Sequence, residues 1–400
     1  MKKLNICILL SNFFDPDFPS RPAITEIYGE YLPSFGHKIT WLMPTFKKND
    51  DYNKNKYKKV TIFTIYYGNS FFKIYNSLIF YFKKFCYLNK LLKKKNYEII
   101  HVRNNIFDSI LVLLLKKRYN FLFIFQYSFP KGIYYKKSSN RIAYTFGRIQ
   151  KIVTDYILKK SDFILPISEG MKKELIDNNI SENKMMTLPM GVNINNFSQK
   201  NRHNLRKKYQ LNKKQVFLYI GTLDISRNLE IIIKAFSKVK KYNNNICLLI
   251  VGSGNSETKL KKLTSNLNLN DYIIFTGTVS YFDIPDHIFT ADICLSPIPP
   301  RPVFRNSSPT KLFEYMALEK PIVANNGIIE QEKVLKESKC GILVNFDINS
   351  FTDGMIELLK NPEKSRKMGQ NGRKWVINNR SYNEMALKLE KKYFELIMTH

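Results

Sequence analysis

Short, almost uninterrupted runs of Val, Ile, Leu, Phe and Tyr punctuate the chain and fall into two series. The first comprises LNICILLS (4–11), HKITWLMP (37–44), KVTIFTIYY (59–67), EIIHVRN (98–104), FLFIFQYSF (121–129) and DFILPIS (162–168). The second follows a polar, basic stretch at 197–215 and comprises VFLYIGT (216–222), ICLLIVGSG (246–254), YIIFTGTV (272–279), DICLSPI (292–298), KPIVANN (320–326) and GILVNF (341–346). A strand with one wet face alternates polar and apolar residues, whereas a continuous run of strand length needs apolar cover on both faces. The runs therefore predict parallel sheets between helices, the helices supplied by the amphipathic stretches that separate them. With 400 residues to distribute, the two series read as two α/β units joined by a linker, each able to bury its own core. Such folds bind ligands outside the carboxyl ends of their strands, and two of them facing each other place a cleft between them. The last segment, SYNEMALKLEKKYFEL (381–396), spaces positions 385, 389, 393 and 396 as the apolar stripe of a helix.

The first run follows two lysines, as the core of a secretory signal does, but Asp15 and Asp17 stand where a small-residue cleavage site is required, so it reads as a first strand. The run ILVLLL (110–115) ends at Lys116, far short of the ~20 apolar residues that span a bilayer. Cys7, Cys86, Cys247, Cys294 and Cys340 lie far apart with no CxxC pair, which predicts buried thiols in a reducing compartment rather than a disulfide or metal framework. These features place the protein in the cytoplasm, with room for peripheral contact at the inner face of the cell membrane.

The formal net charge of +31 is unevenly spread: residues 51–150 hold 20 Lys and Arg against three Asp and Glu. Within them, 69–95 mixes aromatics with lysines and reads as a helix, and 131–151 reads as a basic loop entering another. An anionic lipid surface attracts such segments, each basic residue near the surface being worth about 1 kcal/mol, while Phe and Tyr enter the headgroup boundary. A solvated face in a chain rich in Lys throughout is the plainer reading of the same residues. Nucleic acid is the weakest partner, since no RNP, helix-turn-helix or zinc pattern is present.

The segment SSPTKLFEYMALEKPIVA (307–324) carries the most chemistry. Ser307 or Ser308 suits a helix cap and Pro309 its first turn, while Lys311 and Glu314 share one helical face ahead of a strand. Free N–H groups, the helix dipole and the Lys311 ammonium would together hold a diphosphate, although a capped helix with a surface Lys/Glu pair has the same spacing. In YIGTLDISRNLEIIIKAF (219–236), Gly221 gives backbone access after a strand and Arg227 precedes a helix at the same sheet edge, so two cations could meet on one pyrophosphate; Arg227 taken alone also suits a solvated turn. The VGSGN stretch offers close approach at Gly252, but Glu257 replaces the third glycine of GxGxxG, which disfavours a nicotinamide enzyme. The histidines show no metal-ligand spacing, Asp15-Pro16-Asp17 reads as a turn rather than a metal-binding DxD, and Walker A and GxSxG patterns are absent, so no metal is expected.

These residues, taken in order, resemble the family-4 glycosyltransferases of GT-B fold. NICILLSNFF with FGHKITWLMP resembles the family's opening strand, helix and second strand. SDFILPISEGMKKEL, MMTLPMGVNINNFS, YIGTLDISRNLEIIIKAF, SSPTKLFEYMALEKPIVA with GILV, and MGQNGRKWV resemble its later signature segments. The resemblance implies an α/β chain with two doubly wound Rossmann-like domains facing across a cleft. Residues 1–195 would form the acceptor-binding domain, 196–379 the nucleotide-sugar-binding domain, and a helix at about 380–400 would pack back on the first. Arg227 takes the place of a phosphate-binding Lys, and Glu314 that of the Glu that hydrogen-bonds the donor ribose. Ser307, Ser308, Pro309 and Thr310 match the loop and helix start that hold the distal phosphate, and the turn with Gly277 and Thr278 matches the part that meets the base. Thr222 stands where the family usually has an Arg, Asn306 where it has a first Glu, and Gln126 or a neighbour where a His often meets the donor sugar; Lys311 is the candidate to replace the lost cation.

The function so implied is transfer of a sugar from a nucleoside diphosphate sugar to a lipid-linked or glycan acceptor, with retention, in envelope or surface polysaccharide or glycolipid synthesis, and with domain closure over the donor. The donor is a co-substrate, and no cofactor or metal is needed if Arg227, Lys311 and the helix start stabilise the leaving diphosphate. A sugar-nucleotide epimerase of the same fold, or a basic membrane- or nucleic-acid-binding protein without chemistry, are the rival classes.

Overall fold

A computed structural model describes residues 3–14, 22–50, 54–68, 73–129, 141–200 and 202–400. The Asp15-Pro16-Asp17 turn and parts of the two basic segments, 69–72 and 131–140, lie outside these described residues. The chain forms two units, Met1–Pro189 with Tyr382–His400, and Met190–Ser381. The first crossing thus falls ahead of the boundary expected after residue 195, because Val192 already pairs with Ser381 in unit 2.

In unit 1, β1 (Asn5–Leu9) leads through a π-helical segment (Ile24–Tyr31) and the turn α1 (Leu32–Ser34) to β2 (Lys38–Thr45). There follow β3 (Lys54–Tyr57), β4 (Val60–Tyr66), α2 (Lys73–Lys94), β5 (Ile99–Arg103), α3 (Ile106–Lys116), β6 (Leu122–Tyr127), α4 (Arg141–Lys160), β7 (Phe163–Pro166) and α5 (Glu169–Asp177). The sheet order is β3-β4-β2-β1-β5-β6-β7. All pairings are parallel except β3 with β4, so the expected parallel sheet gains an antiparallel edge from KNKY, which carries no apolar run. Strand order reverses at β1 and β5, the topological switch of a doubly wound sheet.

Unit 2 runs β8 (Gln215–Ile220), α6 (Glu230–Tyr242), β9 (Ile246–Val251), α7 (Glu257–Asn266), β10 (Ile273–Gly277), α8 (Ile284–Thr290), β11 (Ile293–Ser296), α9 (Pro302–Arg305), α10 (Thr310–Ala317), β12 (Ile322–Asn325), α11 (Ile329–Ser338), β13 (Gly341–Val344), α12 (Ile348–Lys360) and α13 (Pro362–Arg380). Its order is β10-β9-β8-β11-β12-β13, all parallel. Phe217, Leu248, Ile293 and Val323 from the strands meet Ile233 and Phe236 of α6 and Phe351 and Met355 of α12 in one core. Leu218, Leu249, Cys294 and Ala324, which point to the opposite face of the same strands, are buried as well, so the sheet has the two-sided burial that the continuous apolar runs required.

The last helix, α14 (Tyr382–Met398), belongs to unit 1. Met385, Leu389 and Tyr393 of its expected stripe are buried and Leu396 is half-buried. Tyr393 bonds Tyr28 of the π-helical segment, O to O 2.9 Å. His37 accepts the Leu4 N–H at Nδ1, 3.1 Å, and lies 2.7 Å from Glu390 at Nε2, so α14 is held by polar clamps as well as by its stripe. Of the cysteines, Cys7, Cys247, Cys294 and Cys340 are buried as expected, but Cys86 lies exposed on α2. No helix among the described residues is long and apolar enough to cross a membrane.

Candidate functional site

The site follows from where strands of unit 2 diverge. β8 and β11 pair only at Phe217–Ile293 and Leu218–Cys294, whereas β8 stays paired with β9 to Ile220–Val251. The Ile220 N–H on the diverging side therefore has no strand carbonyl, and the Tyr315 hydroxyl of α10 accepts it at 3.0 Å. The tyrosine of the FEYM segment thus caps the open end of β8 and fixes α10 against the switch point, where ligands of doubly wound sheets bind.

Beyond that point the backbone is packed too closely for side chains. Gly252, at φ +130°, follows β9, and a Cβ there would lie 2.1 Å from the Gly221 carbonyl oxygen. Its N–H donates to the Gly277 carbonyl at 2.9 Å, and the Gly221 N–H to Val251 at 3.0 Å, so the turns after β8, β9 and β10 are tied into one edge. Thr278 joins it through its hydroxyl, 2.7 Å from that of Ser253.

On this edge the charged residues converge. The Lys311 ammonium lies 4.0 Å from the centroid of the Tyr219 ring, and 3.1 Å from where a Cβ on Gly221 would stand. Tyr219 is itself fixed, its hydroxyl donating to the Thr222 carbonyl at 3.2 Å. Burial pushes the Lys311 pKa well below the ordinary lysine value, Arg227 pushes the same way, and Glu314 opposes them. Glu314 is buried, and burial raises its carboxyl to about 7 against the pull of Lys311. The Arg227 guanidinium lies 4.7 Å over the Phe304 ring of α9, in a short helical turn (Ile225–Arg227) closed by left-handed Asn228.

The expected helix cap needs correction. Pro309, not a serine, occupies the N-cap of α10, and no side chain bonds the first-turn amides. Ser307 instead donates to the Phe304 carbonyl at 2.6 Å, and Ser308 accepts the Met190 N–H at 2.9 Å. Both hydroxyls serve the loop, and the Leu312 N–H donates to the Pro309 carbonyl at 3.1 Å, which leaves the amides of Thr310 and Lys311 open to an anion. The reading of Lys311 and Glu314 as a surface pair fails as well, since Glu314 is buried and the ammonium is tucked over Tyr219. The sequence reasoning missed Tyr219, Phe304 and Tyr315, which shape the site through ring faces and one hydroxyl; the helical phase of Tyr315, next to Glu314 in an apolar stretch, was the available signal.

In unit 1, Gln126, next to last in β6, is buried beside His101, and its carbonyl accepts the Asn104 N–H at 2.9 Å. Nearby His101, also missed, packs on Tyr28 at 4.9 Å. Burial, helped by Arg103, pushes its pKa down to about 3, so it is a neutral ring at this edge. Among the described residues no cluster of His, Cys, Asp and Glu is arranged to hold a metal ion.

Residues 27–196 match the family described as Glycosyltransferase Family 4, and residues 201–375 the family described as Glycosyl transferases group 1. The chain is 27% identical over 207 residues to the GDP-mannose-dependent alpha-(1-6)-phosphatidylinositol monomannoside mannosyltransferase of Mycobacterium tuberculosis, which covers 50% of this chain and 54% of that protein. It therefore spans about half the length of the first curated relatives it matches. It is 26% identical over 248 residues to the capsular polysaccharide biosynthesis glycosyltransferase CapM of Staphylococcus aureus, covering 58% of this chain and 60% of that protein. Among solved structures, sucrose-phosphate synthase from Thermosynechococcus elongatus superposes with a TM-score of 0.80 at 18% identity over the full length of both chains. Anabaena HepE, solved with UDP and glucose, superposes with a TM-score of 0.72 at 13% identity over 98% of this chain and 100% of that one. These likenesses show a shared GT-B fold.

Proposed function

We propose, for a chain that belongs to the family-4 glycosyltransferases of GT-B fold, that it transfers a sugar from a nucleoside diphosphate sugar to a glycan or lipid-linked acceptor. The observation that carries this reading is the meeting of Arg227, Lys311, the glycine turns after β8 and β9, and the uncapped start of α10 at one edge of unit 2. Two cations, open amides and a helix dipole are what a diphosphate requires.

The reaction is electrostatic in character. The anomeric C–O bond to the distal phosphate breaks and its electron pair leaves on the phosphate oxygen. The acceptor oxygen bonds to the anomeric carbon, and its proton passes to the departing diphosphate. Arg227, Lys311 and the α10 amides hold the charge that grows on the leaving group. Glu314 accepts the ribose hydroxyls, the Gly277–Thr278 turn meets the base, and the Ser307–Thr310 backbone meets the distal phosphate. Attack from the face that the leaving group quits gives retention without a protein nucleophile, and no metal is needed while these groups carry the charge. Unit 1 takes the acceptor.

The printed names of the relatives, a phosphatidylinositol mannoside mannosyltransferase and a capsular polysaccharide enzyme, and the UDP bound to HepE, support a nucleotide-linked donor and a product in surface polysaccharide or glycolipid synthesis. The excess positive charge at 69–95 and 131–151 supports contact with an anionic membrane surface. Titration calorimetry of UDP, GDP and ADP tests the donor site: Arg227→Ala and Lys311→Ala should each weaken the favoured nucleotide by about 1.5–3 kcal/mol. Unchanged affinity removes the site, and a donor-hydrolysis screen with product stereochemistry by NMR decides the chemistry.

A further inference from the structure

We infer that the outer face of the helix layer α2-α3-α4 in unit 1 is a plate that inserts into an anionic bilayer, with the amino-terminal halves of the three helices deepest. The chain passes from β4 to β5, β5 to β6 and β6 to β7 through these helices. Right-handed crossovers in one direction put all three on one side of the sheet, opposite the segment that follows β1. Tyr81 of α2 stacks against Phe107 of α3 at 4.9 Å and bonds Asn105 at 3.2 Å, while Tyr119 reaches Asn89 of α2 at 2.7 Å. α2 and α3 are thereby stitched at both ends.

Its outward face is apolar where a solvated layer is polar. α3 is the clearest case: Val112 and Leu115 face the sheet, yet Phe107, Ile110 and Leu114, spaced for the opposite stripe, are exposed. A helix apolar all round belongs inside a protein or against lipid. On α2 the exposed stripe is Tyr75, Leu78 and Phe82, the last two 68% and 69% exposed. On α4 the exposed stripe begins in the amino-terminal half at Ile142, 81% exposed, Phe146 and Ile149, and continues through Ile152 to Tyr156.

Each stripe then ends in cations. α2 finishes in exposed Lys90, Lys93 and Lys94, α3 is followed by exposed Lys117 and Arg118, and α4 ends in exposed Lys159 and Lys160. The three helices contain two acidic residues, Asp108, buried against Lys84, and Asp155, paired with Lys151. Apolar halves beside a basic rim with almost no acidic charge match the acyl boundary and phosphate plane of an anionic bilayer rather than a protein face.

The polarity of the plate gives it a direction. Crossover helices run antiparallel to the strands they join, so their amino-terminal halves lie at the carboxyl edge of the sheet, where doubly wound units bind ligands. Insertion therefore turns that edge of unit 1 toward the lipid, as an acceptor carried on a lipid would need. The insertion itself deepens the membrane contact proposed above, and only this last consequence rests on the transferase reading.

The experiment uses the full chain with vesicles rich in phosphatidylglycerol or of phosphatidylcholine alone, at low and high salt. Wild type should co-sediment with the anionic vesicles and keep part of that binding at high salt. Leu78→Glu, Phe107→Glu and Ile152→Glu should each weaken it by about tenfold or more, with circular dichroism and nucleotide affinity unchanged. In a Cys86→Ser background, an environment-sensitive fluorophore on Leu78→Cys or Ile152→Cys should shift to the blue on vesicle addition, and one on Lys94→Cys or Lys160→Cys should not. Equal shifts at both ends, binding abolished by salt without any shift, or no binding at all would overturn the insertion. So would sedimentation equilibrium showing self-association that the same glutamates abolish, which would give the face to a second copy. Nucleotide affinity is read separately, so failure here leaves the donor site standing.

Discussion

The Lys84 ammonium lies 2.8 Å from the Asp108 carboxylate with both side chains sealed from solvent. It also donates to the Leu10 carbonyl at 3.2 Å. One lysine from α2 thus ties the exit of β1 to the first turn of α3, across the point where the strand order of unit 1 reverses. Burial raises the Asp108 pKa while Lys84 opposes that shift, so the pair is held by geometry against its own desolvation.

Removing one partner leaves the other charged and dry. Lys84→Ala should therefore cost about 3–5 kcal/mol in urea unfolding. Lys84→Met combined with Asp108→Asn, which removes both charges, should recover much of that loss, because a buried ion pair stabilises little relative to neutral groups of similar volume. Single and double variants of equal stability would show that the pair carries no such coupling.

Diphosphate binding should take up protons. Burial and Arg227 press Lys311 toward its neutral form while Glu314 alone opposes them, and Tyr219 offers its ring face. A diphosphate beside the ammonium raises its pKa, so between the two values each bound nucleotide brings a proton, and affinity falls by up to about tenfold per pH unit as pH rises. Calorimetry in buffers of different ionisation enthalpy reads the uptake directly. It should persist in Glu314→Gln, where Lys311 is the remaining titrating group, and vanish when Lys311→Met is combined with Glu314→Gln; a wild-type binding heat that ignores the buffer refutes the linkage.

Glu314 makes the opposite contribution to stability. Its folded pKa, about 7, lies above the ordinary 4.5, so the folded state holds a proton that the unfolded chain has released. Stability from this group is complete below the ordinary value and is lost as pH rises through 7, to a total of about 3 kcal/mol. Glu314→Gln cannot titrate. The stability of wild type relative to Glu314→Gln should therefore decline between about pH 5 and pH 8 in denaturant unfolding, and parallel curves would place the carboxyl in water.

Much of this was legible in the sequence, because continuous apolar runs have one structural solution. Those runs became β1, β2 and β4 through β13, with Gly221 and Gly252 directly after β8 and β9, and Arg227 and Lys311 in the helical turn and helix that come after β8 and β11. What escaped was set by partners far along the chain. The KNKY strand has no pattern of its own and exists because β4 offers it an edge. Ser308 reads as a cap until its hydroxyl is found on the Met190 N–H. Lys84 reads as one more surface lysine, though its spacing with Phe80 and Leu88, both buried, placed it on the inner stripe of α2.

The glycine edge of unit 2 separates two costs that a sequence cannot tell apart. Gly252 and Gly277 both have positive φ, +130° and +72°, so alanine at either pays backbone strain of about 1–2 kcal/mol. At Gly277 a Cβ meets nothing within 4 Å, whereas at Gly252 it would stand 2.1 Å from the Gly221 carbonyl oxygen, a backbone atom that cannot swing aside. Gly277→Ala should therefore lower stability by only that strain. Gly252→Ala must push the β8 and β9 turns apart, moving Gly221 away from Lys311, so it should lose at least about 3 kcal/mol in stability and tenfold or more in nucleotide affinity by calorimetry. If the two variants behave alike, the turns are not the packed edge on which the diphosphate rests.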